Sequence, residues 1–203
     1  ARKEAFQYLI NLGSNDIMTN NEKFHKFMVE GITVEYIKNG NKQGVIVKVI
    51  DFENIQNNSY VVVNQFIIRE NNFSRRLDAV IFINGLPLII FELKSAVSQR
   101  ATLEKAFTQI QNYKTVIPTI FGYNALCIIS DGIDAKVGSV SSSFSRYLSW
   151  KSPNKEENGI LSELEIMIKE MLNFKVLLNL IKFNTVFESE EVKNNKTGVL
   201  SIV

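Results

Sequence analysis

Three charged residues stand in an otherwise apolar stretch, residues 77–94, LDAVIFINGLPLIIFELK: Asp78, Glu92 and Lys94. Glu92 and Lys94 are two apart, so on a strand they share a face. If a loop spans 84–86, Ile83 pairs with Pro87 and Asp78 falls opposite Glu92, with Cβ atoms ~4.5–5.5 Å apart. Pro87 has no N–H for the ladder, and a one-residue slip would make the pair diagonal. Two carboxylates ~5 Å apart repel by roughly 3 kcal/mol at an effective dielectric of ~20. A shared proton, a salt bridge to Lys94, or a hard divalent cation that seeks carboxylate and carbonyl oxygens would each offset this. Beside a cation, Lys94 can orient or help deprotonate a water, or stabilise charge building on a phosphate. A salt-bridged Asp/Glu/Lys cluster with no chemistry is the alternative.

The elements that must position these groups are legible around them. Residues 79–83 and 88–93 are short runs rich in β-branched and aromatic residues. Asn84-Gly85 between them is a hairpin turn signal, because both residues accept positive φ. Strands this apolar belong inside a sheet with both faces covered. Upstream, the spacing predicts a helix over 3–12. A second runs to about Glu30, capped by Asn20 or Asn21, with Phe24, Phe27 and Met28 on one face and Gly31 as its stop. Glu22 and Glu30 lie on it. Strands are expected at 32–37, 45–50 and 60–69, and a polar loop at 70–76 delivers Arg75 and Arg76 just before Asp78. Two arginines there can meet a backbone phosphate, or be solvated loop charges.

After Lys94 comes a polar connection, 95–100, then a helix over 101–116 with Leu103, Ala106, Phe107, Ile110 and Ile117 at helical spacing, ended by Pro118. Gln109 and Tyr113 are i and i+4 on this helix, hence neighbours. A strand at 125–130 ends in the turn pair Asp131-Gly132. A short strand is expected at 135–138, a long amphipathic helix over 160–183, and a polar linker at 188–195.

Asp78, then Glu92-Leu93-Lys94 on the following strand, resembles the PD-(D/E)xK nuclease signature, with Leu77 in place of the proline. Asn84-Gly85-Leu86-Pro87 and Phe91-Glu92-Leu93-Lys94, followed by Gln109 and Tyr113 as Q-x-x-x-Y and by Ser130-Asp131-Gly132, resemble the N-terminal nuclease domain of the R subunit (HsdR) of type I restriction enzymes. The likeness runs from about Lys3 to the last helix. It implies an α/β, restriction-endonuclease-like fold, a mixed β-sheet flanked by helices. It implies an endonuclease domain over 1–185, and a linker over 186–203 toward a motor domain beyond this stretch. It further implies Mg2+-dependent cleavage of double-stranded DNA. Asp78, Glu92 and the Leu93 carbonyl would hold the metal, Lys94 would activate water or steady the transition state, and Gln109 and Tyr113 would orient the centre. ATP would serve only the motor. Methyltransferase (M) and specificity (S) subunits would be the partners, in a prokaryotic cytoplasm. Two alternatives stay open: an idle nuclease fold that binds DNA or docks subunits, and a nuclease of another restriction or repair system.

Composition sets outer bounds. The formal charge of +2 over 203 residues predicts no broad basic surface, so any DNA-binding surface is local. A single cysteine, Cys127, excludes an internal disulfide and a cysteine-rich zinc site. A single histidine, His25, reads as a packing or surface residue. No apolar run approaches the ~18 residues of a membrane span. No phosphate-binding P-loop occurs, so this stretch should not itself bind ATP. A first residue other than Met and an apolar last stretch lead to the expectation of a piece of a longer chain.

Overall fold

The main helices and strands follow in the order that the periodicity predicts, with several boundaries moved. The computed structural model describes residues 1–95, 103–154, 156–188, 191–193 and 200–202. Helices α1 (Arg2–Ile10) and α2 (Ile17–Glu30) come first. α2 starts earlier than a cap at Asn20 or Asn21 allows, because Asp16 is the cap, its Oδ2 accepting from Thr19 N at 2.6 Å. Asn21 is instead buried inside the helix, where its amide donates to the Phe121 and Asn124 carbonyls at 3.0 and 2.6 Å. Gly31 ends α2 at φ 81°, where a Cβ would sit 2.6 Å from the Ile46 side chain.

Strands β1 (Ile32–Lys38) and β2 (Asn41–Val47) form an antiparallel hairpin. β2 begins before the expected 45, because Asn39 and Gly40, at φ 52° and 81°, complete the turn in two residues. The main sheet follows: β3 (Tyr60–Glu70), β4 (Phe73–Ile83), β5 (Leu86–Leu93), helix α3 (Leu103–Val116), β6 (Leu126–Ser130) and β7 (Ala135–Gly138). Among the described residues its order is β3-β4-β5-β6-β7. β5 and β6 are parallel and the other neighbours antiparallel. A parallel pair needs a crossover, and α3 lies within the β5–β6 connection. The fold is therefore mixed α/β with a mixed sheet flanked by helices, as the motif implies.

The polar loop expected at 70–76 is a correction. Asn71 takes φ 51° and the turn is complete by Phe73, so Arg75 and Arg76 lie on β4 and Asp78 is inside the strand. One face of the sheet packs Val80, Ile90, Cys127 and Ile129 against Ala106 and Ile110 of α3 and Ile117 just after it. The other packs Ile81, Ile89, Phe91 and Ile128 against Phe24 and Met28 of α2 and the C-terminal helices. Those helices correct the single span expected over 160–183: α4 (Glu163–Ile166), a π-helical turn at Met167–Met171, then α5 (Phe174–Phe183). Leu172 N reaches back to the Met167 carbonyl, and Asn173 starts α5 by accepting from Lys175 N at 3.1 Å. An asparagine that bonds the next turn's backbone competes with helix continuation.

Within the expected linker, β8 (Glu191–Lys193) pairs antiparallel with β9 (Leu200–Ile202). Residues 189–190, 194–199 and 203 of that linker, the connection after Ser95, and the expected helix start at Ala101 lie outside the described residues. Among the described residues no helix is long and apolar enough to cross a membrane.

Candidate active site

The turn between β4 and β5 is tighter than three residues. Asn84 and Gly85, at φ 51° and 80°, form it alone, so Ile83 pairs with Leu86 and Phe82 with Pro87. The register then shifts, and Ile81 faces Ile89, leaving Leu88 as an extra residue on β5. The bulge restores the register in which Ala79 faces Phe91, where the ladder between these strands ends, with Asp78 and Glu92 as the next residues on either side. The Asn84 amide secures the turn by donating to the Val49 carbonyl at 2.9 Å and to Asn58 Oδ1 at 2.8 Å.

At the far end of this hairpin the predicted residues converge. Glu92 is buried, 3 % exposed. Its Oε1 accepts from Lys94 Nζ at 2.5 Å and its Oε2 from the Tyr113 hydroxyl at 3.0 Å. Asp78 Oδ2 accepts from Leu93 N at 2.7 Å. The contact made by Leu93 is thus through its N–H, while the sequence motif assigns it a carbonyl role. Burial, first of all, pushes the Glu92 carboxyl above its ordinary range; the Asp78 charge adds to this, and the bonds from Lys94 and Tyr113 oppose it. Burial, followed by the charge of Glu92, holds the Tyr113 phenol well above its usual range, so it stays a protonated donor. Gln109, one turn earlier on α3, acts on that phenol by hydrogen bonding in the opposite direction.

Two partners of the site have no signature of their own. The Arg76 carbonyl accepts from the Tyr113 hydroxyl at 3.3 Å, and the Ser130 carbonyl accepts from Lys94 N at 2.8 Å. The first is a main-chain atom that no side-chain motif can report. The second sits where the Ser-Asp-Gly turn was read: Ser130 Oγ donates to the Asp134 carbonyl and accepts from Gly132 N, and Asp131 Oδ1 accepts from Ile133 N and Asp134 N. Asp131 is therefore a turn former.

Arg75 lies half-buried, its guanidinium 5.8 Å from the Phe73 ring, with Nε 3.5 Å from Asn112 Oδ1 of α3. The Arg76 side chain is exposed. Glu22 pairs with Lys26 on the surface at 2.8 Å. Among the described residues no group of three His, Cys, Asp or Glu is placed to hold a metal ion, so neither Glu22 nor Glu30 joins the carboxylate pair. His25 Nε2 lies 2.9 Å from the Ile181 carbonyl, a packing role. Burial pushes the Cys127 thiol up to about 11, which makes it inert.

A family model described as "Type I restriction enzyme R protein N terminus" matches residues 2–146. The chain belongs to this family. It is similar to the type I restriction enzyme HindI endonuclease subunit of Haemophilus influenzae, 37 % identical over 182 residues, which is 87 % of this chain and 17 % of that relative. It is similar to the putative MjaIXP endonuclease subunit of Methanocaldococcus jannaschii, 32 % identical over 175 residues, 85 % of this chain and 17 % of the relative. The EcoprrI endonuclease subunit of Escherichia coli is 28 % identical over 151 residues, 70 % of this chain and 46 % of the relative. The chain therefore spans less than half the length of each of these restriction-enzyme relatives.

As donors, the R-protein site residues fit a small, hard cation. Mg2+ is held by one or two carboxylates with waters and substrate phosphates completing its shell, and Asp78, near enough for its charge to act on the buried Glu92, provides that set with it. Tyr113→Phe tests the hydroxyl that holds Glu92. Removing a donor to a carboxylate disfavours the charged form, so the Glu92 titration followed by carboxyl-carbon NMR should move further up. Stability should fall by about 1–2 kcal/mol in chemical denaturation, because two acceptors lose their partner. An unmoved Glu92 titration would show that the bond is unimportant.

Proposed function

We propose that this chain is the DNA-cleaving domain of a type I restriction R subunit, and that it hydrolyses phosphodiester bonds of double-stranded DNA with Mg2+ as cofactor. The supporting observation is the convergence of Asp78, Glu92, Lys94 and Tyr113, from two strands and a helix, at one end of the sheet. Residues 1–185 are the nuclease unit in this reading, and 186–203 lead toward an ATP-driven motor whose translocation precedes cleavage. The M and S subunits complete the assembly and supply site recognition, in the cytoplasm of a prokaryote.

Asp78 and Glu92 hold the cation, with the Leu93 carbonyl as a third ligand. A bound divalent cation supplies Lewis-acid charge to the phosphate oxygens. Lys94 ion-pairs with Glu92 and is partly exposed. Once a cation shares Glu92, its ammonium is available to hold the attacking water or the charge that grows on the phosphate. Tyr113, kept protonated, fixes the orientation of Glu92, and Gln109 steadies Tyr113. Arg75 and Arg76 meet the DNA backbone. Such contacts position the duplex without reading sequence.

Calorimetric titration of Mg2+ and of Mn2+ into the wild type and Asp78→Ala, with and without a short DNA duplex, tests this. Loss of Asp78 should weaken binding by more than the ~10–100-fold that an outer-shell partner costs. Equal binding by both proteins, or none by the wild type even with duplex, would overturn the proposal.

A further inference from the structure

At Asp78 the sheet is open on both sides. Along β3 and β4, Asn64 pairs with Ala79 and Phe66 with Leu77 in one unbroken register, yet the pair between them, Gln65 with Asp78, is missing. Toward β5 the ladder stops at Ala79 and Phe91, and Leu93 N donates to the Asp78 side chain. Gln65 takes φ 51° inside an 11-residue strand. The other non-glycine residues with positive φ among those described are Asn39, Asn71 and Asn84, at the turns between strands. Asparagine tolerates this left-handed conformation through its short polar side chain; glutamine has no such preference.

The gap has a consequence for which way side chains point. In a regular strand, residues three apart face opposite sides. Leu77 and Val80 nevertheless both pack in the cluster under α3. β4 is thus rotated between them, and Asp78 is the residue released from the pleat. Because the register is the same on both sides, no insertion forces the break; the backbone of Gln65 makes it locally. Gln65 is itself exposed, so packing of its side chain does not explain its conformation.

The geometry points to Gln65 as a positioning residue for the metal site: its left-handed backbone interrupts the sheet opposite Asp78 and lets that carboxylate turn toward the end of β5. This rests on the nuclease reading, in which Asp78 is a cation ligand. The backbone conformation and not the amide group matters, so residues that accept positive φ should substitute freely and β-branched ones should not.

The test is Mn2+ affinity of this chain by calorimetry, under the conditions in which the wild type binds, with thermal melts to keep every variant in its folded range. Gln65→Gly and Gln65→Asn should bind within about twofold of wild type. Gln65→Val, which disfavours the left-handed region and favours a closed ladder, should bind at least tenfold more weakly, as expected when a group that orients a ligand is lost. If Gln65→Val does not fold, Gln65→Ala takes its place, with roughly a threefold loss expected. Wild-type affinity in the folded valine or alanine variant, while Asp78→Ala no longer binds, would overturn this inference and leave the nuclease reading standing. An equal loss in the glycine, asparagine and valine variants would overturn it in favour of a role for the amide. Absence of binding by the wild type in every condition would remove both.

Discussion

Glu92→Gln is expected to abolish DNA cleavage by the complete enzyme and, in the metal-free chain, to raise the melting temperature. The two effects have one cause. Glu92 is 3 % exposed, and burial pushes its carboxyl above the ordinary range, so its ionised form is disfavoured by the fold. A carboxyl whose folded pKa is raised binds more protons in the native than in the unfolded state over the window just above 4.5. Stability falls as pH rises through that window, and the loss persists at neutral pH. The amide removes the buried charge, frees the partly exposed Lys94 to reach solvent, and keeps a group that Tyr113 can bond. The expected gain at pH 8 is on the order of 1 kcal/mol, or roughly 2–4 °C for a domain of this size, and it should shrink below about pH 5. The same change removes an anionic ligand, so metal affinity should fall by more than ~100-fold and cleavage with it. ATP hydrolysis, which the proposed function assigns to a separate motor, is the internal control and should continue. A variant that melts lower at pH 8, or that still cuts, would contradict the assignment of Glu92 as a charge held in the fold for its chemistry.

Phe24→Ala should cost about 3–5 kcal/mol of stability and lower the melting temperature by on the order of 10 °C, without weakening metal affinity in the remaining folded protein. Phe24 is completely buried, on the side of the sheet away from α3. Its ring meets Tyr123 edge-on with centroids 5.1 Å apart, and the Tyr123 hydroxyl bonds the Leu9 carbonyl at 2.9 Å. One side chain thus joins α2, the segment after α3 and the end of α1. Truncation leaves a cavity that these elements can close only partly. The metal readout separates this role from catalysis, because Glu22 and Glu30 on the same helix take no part in the carboxylate pair. A metal affinity that falls with Phe24→Ala would mean that α2 supports the site after all.

Much of the site is readable from residue order because its parts are local. Asn84-Gly85 dictates a two-residue turn, since both tolerate positive φ. The apolar runs on either side then have to be paired strands, which brings residues 14 apart, Asp78 and Glu92, near one another. The spacing of Ala106, Ile110 and Tyr113 creates a helix with one buried stripe, of which Tyr113 is part and beside which Gln109 lies one turn earlier. Alternation places Glu92 and Lys94 together. A family resemblance built on those residues was matched by a family model covering residues 2–146.

Other features depend on contacts between distant segments, and residue order carries no mark of them. The loop length proposed for the hairpin was too long by one residue, yet Ala79 still faces Phe91, next to Asp78 and Glu92, because a bulge at Leu88 beside the N–H-lacking Pro87 adds the missing step. Arg75 and Arg76 look like loop residues by polarity but lie on β4, because ladder hydrogen bonds to β3 outweigh weak strand propensity. The helix over 160–183 looks continuous by hydrophobic spacing, but Asn173 diverts the backbone. The Arg76 carbonyl that receives Tyr113, the Ser130 carbonyl that receives Lys94, and the left-handed Gln65 across from Asp78 are main-chain events. Side-chain type specifies turns, faces and stripes through short-range sterics and burial. The bulges, gaps and carbonyl partners that aim a carboxylate by an ångström arise only when strands from different parts of the chain settle against one another.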